Sequence, residues 1–98
     1  VTDAAARRHE EERAAALAEE GRRLRRLRMV VDLTTNVIMQ GRLSRREAEE
    51  LVAAARRGIL DLFPDKESTY ELILAPRFAR LLDEFVGPRP SVLPFRKP

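Results

Sequence analysis

Seven arginines carry the most chemistry in this chain: Arg22, Arg23, Arg25, Arg26 and Arg28 in the run RRLRRLR, and the later pair Arg56 and Arg57. A guanidinium presents a planar fork of donors that fits phosphate or carboxylate oxygens, and no acid interrupts residues 22–28. With Leu24 and Leu27 turned inward on a helix, the arginines of the run spread round the solvent side. If a helical hairpin closes at Gly41, position 28 falls opposite position 57 and all seven share one pole. Such a pole suits the phosphates of RNA, DNA or an anionic lipid surface. It has no interleaved aromatic residue on which bases could stack. The plainer reading is that these arginines are solvated or pair with acids of their own chain.

The stretch IMQGRLSRRE, residues 38–47, offers three chemistries. As the turn of a helix-turn-helix it would place Arg42, Arg45 and Arg46 at the base-reading end of a second helix. Against this, Glu49 and Glu50 would turn carboxylates toward phosphates, and the usual mix of Ser, Thr, Asn or Gln is missing from that face. A cation loop fails sooner, because Val37, Ile38, Met39 and Gln40 stand where oxygen ligands belong. The structural reading gives every residue a task. Gly41 ends one helix in the left-handed conformation, Ser44 and Glu47 form a capping box, and Leu43 staples onto Ala48.

Other reactive groups are sparse. His9 is the single histidine, there is no cysteine, and Glu10, Glu11 and Glu12 form a run rather than a converging set of ligands. Ser44 and Ser68 read as helix caps, and Ser91 lies in the tail. Asp61 with Asp65, or Asp83 with Glu84, are acid pairs without the water-excluding cleft that acid-base catalysis requires. The expectation is a protein that is not an enzyme, with no catalytic, metal-ligating or cofactor-binding residues and no small-molecule substrate.

Ninety-eight residues suffice for one small domain. The net charge of +3 is modest, although 17 of the 19 basic residues are arginine, so charge alone does not make a nucleic-acid binder. No apolar run approaches the ~20 residues of a bilayer span. A soluble, cytoplasmic protein is expected, and the opening on Val1 rather than Met leaves an earlier start open.

The elements that must position these groups are set by periodicity. Residues 1–23 are alanine with charges of both signs and read as a helical extension, with Thr2 as N-cap and Gly21 weakening its junction with the apolar segment beyond it. In residues 24–40, Leu24, Leu27, Val31, Thr34 and Ile38 fall on one helical stripe, while 29–39 also alternate like a strand. A lone strand would lack a partner, so the helix is expected. A second helix carries Ala48, Leu51, Val52, Ala55, Ile59, Leu62 and Phe63 on one face. Gly58 interrupts it, as expected where two backbones approach closely, and Pro64 stops it. A third starts with a Ser68–Glu71 capping box and keeps Tyr70, Ile73, Leu74, Phe78, Leu81, Leu82 and Phe85 in phase across a kink at Pro76. The proline-punctuated residues 88–98 read as an extended tail.

The sequence therefore predicts an all-α fold: a three-helix domain over 24–87, an antiparallel hairpin plus a proline-kinked third helix, with a charged extension and an extended tail. Residues 24–86 hold 25 large apolar side chains, more than so small a domain can cover. The expected partner interface comprises Val30, Leu33, Val37, Leu60, Leu72, Val92, Leu93 and Phe95. The expected function is a helical interaction module, self-associating or an accessory subunit of a larger protein assembly. The rival is a phosphate-backbone nucleic-acid binder using the seven arginines.

Overall fold

The structure, a computed structural model, describes residues 2–87. Three helices form an all-α unit, and among the described residues there is no strand. Helix α1, Thr2–Met39, runs 38 residues. Helix α2, Arg45–Leu62, returns antiparallel to it. Helix α3 consists of three consecutive segments: an α turn Glu67–Thr69, a π turn Tyr70–Leu74 and an α segment Ala75–Phe85. None is long and apolar enough to cross a membrane.

In α1 the strand-like alternation of residues 29–39 gives way to the helix. Val31, Thr34 and Ile38 are buried on one stripe, with Leu27 and Val30 packed beside them, so burial outweighs the β-preference of the branched side chains. The helix passes through Gly21 without a break, so the extension and the first helix of the domain are one element. Thr2 is the first helical residue rather than the cap.

The corner after α1 forms as its residues require. Gly41 adopts φ +69°, and its N–H donates to the Ile38 carbonyl at 3.0 Å. A Cβ there would lie 3.3 Å from the Phe85 carbonyl, so the glycine also lets the end of α3 nest against the turn. Ser44 caps α2: its Oγ accepts from the Glu47 N–H at 3.1 Å, while the Glu47 carboxylate accepts from the Ser44 N–H at 2.9 Å. Gly58 departs from expectation, since a Cβ there would meet nothing within 4 Å and no close backbone approach explains it.

Two features of α3 also depart from the sequence reading. Its cap position is Lys66, without a side-chain hydrogen bond, so the Ser68–Glu71 box does not form. The Lys66 N–H instead closes a turn onto the Phe63 carbonyl at 3.1 Å, and helical bonding starts with Tyr70 N–H to the Lys66 carbonyl at 3.0 Å. The second departure concerns Pro76, which has no N–H and whose ring crowds the preceding turn. A π turn forms just ahead of it, in which the Ala75 N–H reaches five residues back to the Tyr70 carbonyl. In a regular helix Tyr70 and Phe78 would sit about 80° apart, and the wider turn brings them into line. Ile73, expected in the stripe, is pushed out to 59% exposure.

The core gathers Val31 and Ile38 from α1, Ala48 and Ile59 from α2, and Tyr70, Phe78, Leu82 and Val86 from the third helix and its end. Phe78 and Ile38 are fully buried.

Candidate interaction surfaces

Of the expected interface residues, Leu33 and Leu72 are exposed, at 62% and 78%. Val30 and Leu60 lie partly buried against the core, and Val37 is half-buried, so these three are flanks of the domain as much as its surface. Val92, Leu93 and Phe95 lie outside the described residues. Further exposed apolar side chains are Leu17, Leu24, Met29, Met39 and Ile73. Met29 and Leu33 are one turn apart on the outward face of α1. Leu72 and Ile73 border a shallow depression of about 680 Å³ on the π turn, together with Glu67, Ser68, Thr69 and Glu71.

The exposed Leu17 and Leu24 are the residues that periodicity within the domain passes over. Isolated among alanines and charges, Leu17 has no local apolar partner. The available signal is its seven-residue spacing from Leu24, Val31 and Ile38. From Thr2 to Glu19 nearly every side chain of α1 is exposed, whereas residues 27–38 pack into the core.

Three of the seven arginines are engaged by acids of their own chain. Arg22 donates to Glu19 at 2.5 Å, which holds that carboxyl below its usual pKa through the hydrogen bond and then the charge. Arg23 pairs with Glu20 and lies over the Phe63 ring, 5.8 Å from its centroid, joining α1 to the end of α2. Arg56 faces α3: it donates to Glu71 at 2.9 Å and Glu67 at 2.8 Å, and its guanidinium sits 5.6 Å from the Tyr70 ring centroid. Those two hydrogen bonds, Glu71 first, hold it more firmly protonated than a free arginine. Arg57 is exposed on α2, and Arg25, Arg26 and Arg28 are exposed on α1. None of these four has an ion pair among the described residues. A groove of about 350 Å³ does bring Arg22, Arg23, Arg25 and Arg26 together with Glu19, Met29 and Leu62.

At the other end of the bundle, Arg45 ties α2 to α3 through Asp83 at 3.1 Å and holds Glu49 at 3.2 Å. Burial works against its charge, but the hydrogen bonds to Asp83 and Glu49 more than offset that. Arg45 is therefore a structural link between α2 and α3. His9 is exposed, 4.0 Å from Glu12, and no cluster of three or more metal-ligating side chains occurs among the described residues. Comparison with family models, with characterised proteins and with solved structures returned no significant match to this chain.

Proposed function

We propose that this chain is a non-enzymatic helical interaction module, either self-associating or docked as a small accessory subunit on a larger protein assembly. The observation that carries the reading is the uncovered length of α1, a helix of which only the C-terminal half is packed by its own chain. A half that presents Leu17 and Leu24 to solvent is a surface suited to a partner. Leu33 and Leu72 are further exposed apolar side chains, on the domain itself. The absence of cysteine suits a reducing compartment such as the cytoplasm.

The native mass of the full chain, measured by sedimentation across a concentration series and in pull-downs, tests this reading. Leu33→Asp and Leu72→Asp change exposed side chains, so they should leave melting unchanged and weaken association. A monomeric chain whose pull-downs are indifferent to both substitutions would end it.

A second reading draws on Arg25, Arg26, Arg28 and Arg57, whose charges no acid of the described chain offsets: phosphate-backbone binding to nucleic acid. Arg22, Arg23 and Arg56 belong to the same set but are already paired. Four free cations predict a logarithmic salt slope for duplex binding of about −4 at most, against about −6 for seven. No binding at low ionic strength removes this reading.

A further inference from the structure

The groove between α1 and the end of α2, about 350 Å³ in volume, sets cations beside apolar surface. Arg22, Arg25, Arg26 and Met29 stand at positions i, i+3, i+4 and i+7, so α1 presents all four on one face. Leu62, in the last turn of α2, adds apolar surface from the second helix. Arg22 and Arg23 are met by Glu19 and Glu20. Arg25 and Arg26 are exposed and have no ion pair among the described residues, while Met29 is 65% exposed. Uncompensated guanidinium donors thus border an apolar side chain that is open to solvent.

Resting on the interaction reading above, we propose that this groove docks an acidic amphipathic helix of a different protein, the accessory-subunit form of that reading. Carboxylates of the incoming helix accept hydrogen bonds from Arg25 and Arg26, whose planar forks match them. A leucine-sized side chain between those carboxylates covers Met29 and Leu62, as an apolar anchor does when a helix lies in a groove.

The make-up of the groove selects this occupant over its rivals. A nucleic-acid backbone would satisfy the guanidiniums but leave Met29 in water, and the lining offers no ring on which a base could stack. A second copy of the chain is poorly equipped for the same task. Its acidic run Glu10–Glu12 lies within residues 2–16, which contain no large apolar side chain, so it would bring charge without an anchor. Its acids beside Leu72, Glu67 and Glu71, are already engaged by Arg56.

A defined probe tests the proposal on the full chain. The probe is a fluorescent alanine-based helical peptide with two leucines one turn apart and glutamates flanking them, titrated by anisotropy. Replacing its glutamates by glutamine, or its leucines by alanine, should each weaken binding by about tenfold or more. On the protein side, Arg25→Glu, Arg26→Glu and Met29→Asp alter exposed residues, so each should weaken binding with melting unchanged. Arg77→Glu, an exposed change on α3 outside the groove, should have little effect. Amide shifts of the unaltered chain on adding peptide should centre on residues 22–29 and Leu62, a readout that needs no variant to fold. No binding, or binding lost equally through Arg77→Glu, overturns the groove as the site. Tighter binding of a DNA duplex that ignores Met29→Asp makes nucleic acid the ligand and overturns the acidic helix. Self-association that Arg25→Glu or Arg26→Glu abolishes makes a second copy the occupant and overturns the different protein. In the first of these outcomes the pull-downs with Leu33→Asp and Leu72→Asp still decide the interaction reading by themselves.

Discussion

The bare half of α1 relies on the high helix propensity of alanine and on ion pairs one turn apart, such as Glu19 with Arg22, whereas the covered half is dense in branched side chains that intrinsic propensity disfavours. The two halves share one hydrogen-bonded backbone. In the covered half, burial of Val31 and Ile38 supplies what propensity does not. Helix formation has a costly nucleus and cheap propagation, so the packed half can act as the nucleus from which the bare half extends. Tertiary structure and local propensity thus hold up the same helix from opposite ends.

The largest way to break this division is Phe78→Ala. Phe78 is fully buried, so its truncation should cost about 3–5 kcal/mol, a large share of the stability of a small domain. Denaturant titration followed by circular dichroism should show the bare half of α1 losing helix together with the domain, since its nucleus is gone. A bare half that stayed fully helical would mean that it needs no nucleus.

Two glycines on either side of the division should respond in opposite directions. Gly41→Ala forces a side chain into a left-handed conformation and against the Phe85 carbonyl, so the melting temperature should fall with a loss of about 1–2 kcal/mol. Gly21→Ala meets only the Arg25 guanidinium at an ordinary 3.5 Å, and should strengthen the bare half by about 0.5–1 kcal/mol, visible as slower amide exchange around residue 21. If both substitutions destabilise, Gly21 is held by something other than its own helix.

The smallest effects sharpen the comparison through pH. Burial, and then the nearby charge of Glu71, push the Tyr70 hydroxyl above its ordinary value near 10, with Arg56 opposing. Its contribution to stability is therefore intact below that value and lost as pH rises through the higher folded-state value. Tyr70→Phe should remove this alkaline loss from the melting curve of the domain. Glu19 behaves in reverse. Its carboxyl is held below the ordinary 4.5, so its pairing with Arg22 helps the bare half above that pH and is lost as pH falls through the lower helical value. The effect at so exposed a residue should be slight, a small loss of helicity that Glu19→Gln abolishes.

How much was legible depended on how local the cause was. The corner at Gly41 and the Ser44–Glu47 cap are decided within four residues, and both stand as their sequence indicates. The competing period in residues 29–39 was settled by the want of a second strand. Ser68 was misleading because the Phe63–Lys66 turn delivers the chain into α3 two residues earlier than a cap at Ser68 would allow. Pro76 announces a disturbance without saying which kind, so the displacement of Ile73 could not be foreseen from its spacing. Arg56 and Arg57 look alike in sequence, yet consecutive residues of a helix point about 100° apart, which sends one toward α3 and leaves the other in solvent.

The π turn gives α3 one residue more than its core contacts need. In an uninterrupted α-helix, a single inserted residue would rotate everything beyond it by about 100° and turn Phe78 and Leu82 out of the core. Here that rotation is absorbed within Tyr70–Leu74 and appears on the outside as the exposed pair Leu72 and Ile73. The chain can therefore exchange the side chains at Leu72 and Ile73 on this outer bend, recolouring its surface, without disturbing the alignment of Tyr70, Phe78 and Leu82 beneath it.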